Sequence, residues 1–334
     1  MRHLPLRRLQ ALLLGVLLGA GLCSPTVGAA EAASRTIAVS RTPMALPFYV
    51  ALQQGFFRDE GLDLIVADCL GGQRCMRQVQ EGRADFATAS DILVSLAAFR
   101  DRNWRVLAAF ASSQDELRLI LRRSSEVNAP KQLVGLRVGV VPATGSQYFF
   151  DALLLTHDVD PRAVRQIQIQ PEDAARMLAA GQLDAAAVWE PYASQALAAA
   201  GPGAGVVPNQ SGYRATFTIV ATRGQGKGAA DDDVRLLRGL DRAIAFIQRE
   251  PAKAREVLQQ RLQLDAAAAS RIFAGLQFRL NLDASLIKSL ESAGRWAVRE
   301  GHVISANQPD YPSLVDSEPL RKAKAQAVAI GLKP

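Results

Sequence analysis

Two stretches of this chain repeat one another: Gln80-Glu81-Gly82-Arg83-Ala84-Asp85-Phe86-Ala87-Thr88-Ala89-Ser90-Asp91 and Ala179-Ala180-Gly181-Gln182-Leu183-Asp184-Ala185-Ala186-Ala187-Val188-Trp189-Glu190. Each carries a helix-ending Gly, an Asp three residues on, a run of small residues that reads as a buried strand, and an acidic residue at its end. Upstream of each lies a matching start, Ile37-Ala38-Val39 before a helix near Pro47 and Val138-Gly139-Val140 before a helix near Ser146. The repeat predicts two similar α/β lobes. In open α/β sheets ligands bind beyond the carboxyl ends of the strands, so equivalent strand ends facing one another predict a cleft for a small molecule.

Residues 1–30 read as an export signal. Arg2, Arg7 and Arg8 precede an apolar run from Ala11 to Leu22, which gives way to the small residues Val27-Gly28-Ala29-Ala30. The run is shorter than the roughly 20 apolar residues of a membrane span and is broken by Ser24-Pro25. Cys23 follows Leu22 where an acylated Cys needs a small residue before it, which argues against a lipid anchor. The expected product is a periplasmic chain starting near Ala30 or Glu31, long enough for one large or two ordinary cores.

Export leaves Cys69 and Cys75. A close pair in an oxidising compartment is read as a disulfide clamping the Leu70-Gly71-Gly72 turn. Two unpaired thiols are the alternative, since so short a loop demands compatible geometry. The formal charge of +7 includes the three leader arginines, which leaves 7 − 3 = +4 for the mature chain. Its basic residues are dispersed without interleaved aromatics, so nucleic acid is not an expected partner.

Alternating strands and helices fill both lobes. Thr36 to Ser40, Leu62 to Ala67, Asp85 to Ala89, Val106 to Ser112 and Glu116 to Arg122 read as strands of residues 31–123, the last leading out of the lobe, with helices at Pro47 to Gln54, Arg74 to Glu81 and Ile92 to Arg100. Arg137 to Val141, Gln166 to Gln170 and Asp184 to Val188 are strands of a second lobe, residues 124–214, with helices from Ser146 and Pro171. Thr216 to Thr222 reads as the return to the first lobe, whose remainder, within residues 215–334, is mainly helical. Two crossings predict a hinge.

Several segments carry a resemblance. Pro47-Phe48-Tyr49-Val50-Ala51, Gly55-Phe56-Phe57-Arg58-Asp59-Glu60-Gly61-Leu62, Gly82 to Ala87, and Ala180 to Ala185 with Trp189-Glu190-Pro191-Tyr192 resemble the periplasmic substrate-binding proteins of ABC importers for sulfonates, nitrate, taurine and related compounds. Gly212 to Phe217, Leu282 to Leu286 and Arg295 to Arg299 extend the likeness over nearly the whole mature chain. The resemblance implies an α/β fold of the two-lobed periplasmic binding protein type (type II), a monomer that delivers a small anion to an inner-membrane ABC permease, with no cofactor and no catalysis. It also implies ligand contacts at Ser40 to Met44, hence Arg41, Thr42 and Pro43, at Ser90 and Asp91, at Thr144, Gly145, Ser146 and Gln147, and at Trp189 and Glu190.

Physical chemistry supports part of that set. A helix start at Ser146-Gln147 offers unpaired N–H groups and the positive end of a dipole, although Thr144 or Ser146 can equally serve only as the cap. Trp189 has either a ligand face or a packing role, and Glu190 and Asp91, which unpaired would repel an anion, can instead hold the hinge or the transport partner. Arg41 is the candidate counter-charge. Tyr213 and Thr216 sit at the second crossing, facing ligand or hinge. A periplasmic sensor would use the same cleft. The fold is also shared with pyrimidine-precursor synthases of thiamine biosynthesis, but their cysteine-rich motif and active-site His have no match in Cys69 to Cys75 or in His157 and His302.

Overall fold

The computed structural model describes residues 34–207, 209–224, 228–305 and 307–329; the leader expected at residues 1–30 lies outside them. The first half of the described chain runs β1 (Arg35–Ser40), α1 (Leu46–Gln54), α2 (Phe56–Asp59), β2 (Leu64–Cys69), α3 (Gly72–Gln80), β3 (Phe86–Ser90), α4 (Asp91–Ala97), β4 (Trp104–Ser113), β5 (Leu117–Leu121), β6 (Arg137–Val140) and α5 (Gly145–Thr156). There follow β7 (Arg165–Gln168), α6 (Ala174–Ala179), β8 (Ala185–Trp189), α7 (Tyr192–Ala200), β9 (Gly205–Val207) and β10 (Ala215–Thr222). The chain then forms α8 (Ala229–Arg249), α9 (Pro251–Leu262), α10 (Ala266–Ala274), β11 (Leu276–Asn281), α11 (Ala284–Arg299) and α12 (Glu318–Ala323).

Two sheets result, in the orders β11-β4-β10-β3-β1-β2 and β7-β6-β8-β5-β9. In the first, β1 is parallel to β2 and β3, and β10 runs antiparallel between β3 and β4. In the second, β6 is parallel to β7 and β8, and β5 runs antiparallel between β8 and β9. Reading β2-β1-β3-β10-β4 against β7-β6-β8-β5-β9, the fourth position in each sheet is taken by the strand that has just arrived from the other lobe.

The repeated motif explains itself here. Gly82 and Gly181 take φ of 69° and 67°, a left-handed conformation glycine adopts without steric cost. After the turn, Asp85 and Asp184 donate their N–H to the carbonyls of Thr36 and Arg137, and their carboxylates accept from those residues' own N–H at 2.7 and 2.9 Å. Each Asp thus clamps the third strand of its lobe to the first and sets their register.

One boundary differs from the sequence expectation. The strand expected to lead out of the first lobe, with the boundary after residue 123, already pairs with β8 and β9, so the chain enters the second sheet by Leu117 and the crossing falls between Ser113 and Leu117. Leu119, Ile120 and Leu121 account for it, because they are buried in the cores that flank the second sheet. The helices expected after residue 222 form, but β11 interrupts them and adds an edge strand to the first sheet. The long α11 reaches both lobes: it packs on α4, and near its end Trp296 donates from Nε1 to Asp151 of α5 at 2.9 Å and meets the Tyr148 ring edge-on at 5.2 Å.

Candidate functional site

A cleft opens where the carboxyl ends of both sheets meet. From the first lobe come Thr42 beyond β1, the Leu70-Gly71-Gly72 turn between β2 and α3, and Ser90 at the end of β3. From the second come Val141 with Thr144-Gly145, then Gln170-Pro171, then Trp189. The crossings add Glu116 and Leu117 on one side and Tyr213, Ala215 and Phe217 on the other. At the Leu70-Gly71-Gly72 turn, backbone conformation favours glycine at Gly71 and close packing within the first lobe favours it at Gly72. Gly71 has φ of 91°, and a Cβ there would stand 3.4 Å from Trp189 of the opposite lobe, while a Cβ on Gly72 would come within 3.0 Å of Leu93. At the rim, Arg74 of α3 pairs with Glu172 across the cleft at 3.2 Å.

The polar groups of the two lobes are spent differently. Thr144 caps α5, accepting from the Ser146 N–H and donating to the Val141 carbonyl. Ser146 Oγ accepts from the Val141 N–H at 2.9 Å and donates to the Ala187 carbonyl, tying α5 to β6 and β8. Gln147 accepts from the N–H of Ala143, which it holds in a left-handed conformation at φ 53°. On the first lobe, by contrast, the buried hydroxyls of Ser40 and Thr42 have no hydrogen-bond partner among the described residues; on the second, Trp189 Nε1 is likewise without one among them. In the first turns of α3 and α5, Arg74 and Cys75 donate to the Gly71 carbonyl, Ser146 to Thr144 Oγ1 and Tyr148 to the Thr144 carbonyl, and both helices point the positive ends of their dipoles at the cleft.

The expected site residues therefore separate. Thr42, Ser90, Thr144, Gly145, Trp189 and Tyr213 lie on the cleft wall. Ser146 and Gln147 stand behind it as supports. Asp91 is fully buried, accepting from Tyr213 Oη at 2.7 Å, from Ser289 of α11 and from the Ile92 N–H, so it ties α4 to the second crossing. Burial raises its pKa to about 6 against the opposing effect of those bonds. Glu190 accepts from the Ser194 N–H and faces Arg118 at 3.4 Å. Arg41, Pro43 and Thr216 are not on the wall, so the expected counter-charge of Arg41 is not in the cleft. Sequence reasoning supplied Arg41 from its position after β1, but the turn there presents Thr42 instead.

Glu116 was not expected. It is 3 % exposed and lines the cleft, with neither carboxyl oxygen hydrogen-bonded among the described residues. Burial pushes its pKa well up, Glu190 pushes the same way, and Arg118 opposes. The only sequence signal was its position in an acidic pair, Asp115-Glu116, at a crossing.

The expected disulfide is not formed. Cys69 and Cys75 are free, buried thiols. The first turn of α3 directs Cys75 inward beside Thr88, and its pKa is raised well up by burial and by the neighbouring Cys69. Cys69 Sγ also accepts from Gln78 Nε2 at 3.5 Å. Neither thiol is on the cleft wall. Among the described residues no group of three or more His, Cys, Asp or Glu could hold a metal ion.

Two lobes of matching strand order, crossed twice by the chain and meeting at the carboxyl ends of their strands, define a type II periplasmic binding protein fold. Residues 42–254 match the model of the NMT1/THI5 like family, and the chain belongs to that family. A Bacillus subtilis (strain 168) protein described as an aliphatic sulfonates-binding protein is 23% identical over 238 residues, covering 68% of this chain and 69% of that one. Among solved structures, the alkanesulfonate-binding protein SsuA from Xanthomonas axonopodis pv. citri, bound to MOPS, is similar with a TM-score of 0.72 at 19% identity, over 90% of this chain and 99% of its own. The desulfurization enzyme DSZB is similar with a TM-score of 0.63 at 15% identity, over 87% of this chain and 99% of its own.

Proposed function

We propose that this chain is an exported solute-binding protein that captures a small organic anion of the sulfonate class and delivers it to an ABC permease in the inner membrane. The observation that carries this reading is the make-up of the cleft. Donors without a partner among the described residues, Trp189 Nε1 and the Thr42 hydroxyl, together with the positive ends of the α3 and α5 dipoles, face walls of Leu93, Leu117, Val141, Pro171 and Phe217. A sulfonate group takes several neutral donors at once, and an aliphatic tail gains from apolar walls at about 25 cal/mol per Å² removed from water. The relatives named above support the same ligand class, and the leader at residues 1–30 supports export.

Isothermal calorimetry and thermal shift with 1-butanesulfonate, taurine and nitrate test this. Butanesulfonate is expected to bind best, because nitrate leaves the apolar walls uncovered and the taurine ammonium has to shed its water. A ligand at one hundred times its Kd adds about 2.7 kcal/mol of stability, readily seen as a raised Tm. The ligand is expected to return chemically unchanged by mass spectrometry. Desulfonated product would move the chain to the enzyme class, and no binding of any sulfonate would overturn the ligand class.

A further inference from the structure

Resting on the sulfonate reading, we propose that Glu116 contacts the ligand as a neutral carboxylic acid, its O–H donating to an oxygen of the bound anion, so that capture of a sulfonate requires a proton on this side chain. The geometry begins with its place. Glu116 lies on the first crossing, between the two sheets, on the cleft wall beside Leu117. Both of its oxygens are out of contact with water and with every described protein donor. A buried carboxyl left without partners costs free energy unless something else completes it, and the cavity that Glu116 lines is the cleft.

The surrounding charges decide its form. Arg118 of β5 stands 3.4 Å from Glu190, which follows β8, so the cation that opposes the shift already has a carboxylate. Tyr213 of the second crossing faces Glu116 from the other side, and its hydroxyl is committed to Asp91 behind it. An ionised Glu116 would therefore leave this group one negative charge in excess before any anion arrived. Burial and then Glu190 hold its pKa well above the usual carboxylate range, against the opposing pull of Arg118. As the acid, Glu116 adds a donor to a cleft whose other unpaired groups also donate. As the carboxylate it would repel a sulfonate, which has no proton of its own to share at any working pH. The same chemistry discriminates: an oxyanion bearing an O–H, such as a singly ionised phosphonate, can donate to the Glu116 carboxylate and does not need the protein's proton.

Calorimetry of the full mature chain with 1-butanesulfonate, from pH 5 to pH 9 and in buffers of different ionisation enthalpy, tests the proposal. Wild type is expected to take up one proton on binding above the Glu116 pKa, with affinity falling by up to about tenfold per pH unit there. Glu116→Gln keeps a neutral donor, so it is expected to hold the low-pH affinity across the range with no proton uptake. Glu116→Ala is expected to bind about tenfold or more weakly at low pH, as for the loss of a hydrogen bond to a charged group. Infrared spectroscopy of the free protein gives an independent reading, a protonated carboxyl C=O stretch missing from Glu116→Gln. If wild type and both variants bind butanesulfonate alike at every pH, or if affinity rises with pH, the proposal is wrong while the sulfonate reading stands. If wild type binds no butanesulfonate at any pH, the sulfonate reading fails and this role falls with it.

Discussion

The two lobes share a strand order and a register clamp, yet they bring opposite things to the cleft. In the second lobe the hydroxyls of Thr144 and Ser146 are consumed in holding the α5 turn, and what remains for a ligand is backbone and the Trp189 edge. In the first lobe Ser90 likewise caps α4, but the hydroxyls of Ser40 and Thr42 are buried with no hydrogen-bond partner among the described residues. One repeat has thus diverged into a lobe that presents a rigid donor turn and a lobe that holds side chains open. The difference teaches that a residue type at matching positions does not imply a matching role; the role is set by whether a local acceptor already satisfies it.

The strongest way to break the comparison is at α11, which joins lobes that the sheets alone would keep apart. Trp296→Ala removes a buried indole with its bond to Asp151 and its contact with Tyr148. It is expected to cost about 3–5 kcal/mol by urea unfolding. A loss below 1 kcal/mol would mean that α11 does not couple the lobes.

A smaller effect separates the lobes by pH. Asp91 of the first lobe has its pKa raised from 3.8 to about 6. The folded state then holds a proton that the unfolded state has released, so stability falls as pH rises from about 4 to about 6 and the loss is complete above that window, on the order of 2–3 kcal/mol for an isolated group. Asp91→Asn is expected to flatten that part of the profile. Asp233 is also raised to about 6 by burial, so part of the slope stays in the variant. A slope of opposite sign that vanishes in Asp91→Asn would refute the assignment.

The paired hydroxyl variants sharpen the contrast directly. Ser146→Ala strands the buried Val141 N–H and Ala187 carbonyl and is expected to lower stability by about 1–3 kcal/mol, with butanesulfonate affinity changed less than about threefold. Thr42→Val removes a hydroxyl that the protein leaves unpaired, so stability is expected to hold or rise while affinity falls about three- to tenfold. Reversal of that pattern in calorimetry and thermal melts would exchange the roles of the lobes. Smallest of all, Arg41→Ala is expected to shift affinity by less than about twofold, since its half-buried side chain is not among the residues of the cleft wall.

Much of this was legible in residues. The Gly82 and Gly181 turns, the Asp85 and Asp184 clamps and the small-residue strands between them announced two lobes, because turn conformation and strand burial are local demands that only certain residues meet. Thr144 was legible as a cap for the same reason. The first crossing was misplaced because β5 carries a buried apolar run that suits either sheet, and only pairing with β8 decides between them. The strand β11 was hidden among helices, since Leu276, Phe278 and Leu280 gain their meaning from the exposed edge of β4.

Local sequence determined the repeat, the fold type and the position of the cleft at the strand ends, because these follow from hydrophobic period, glycine geometry and capping within a few residues of each other. Tertiary structure alone decided which side chains in that cleft are free. Arg41 and Thr42 are neighbours in the chain, but only Thr42 reaches the wall; Asp91 and Glu116 are both buried carboxyls, but three donors complete Asp91 and among the described residues none completes Glu116. Whether a polar group is satisfied depends on partners far away in sequence, and the cost of leaving it unsatisfied arises only once folding has removed the water.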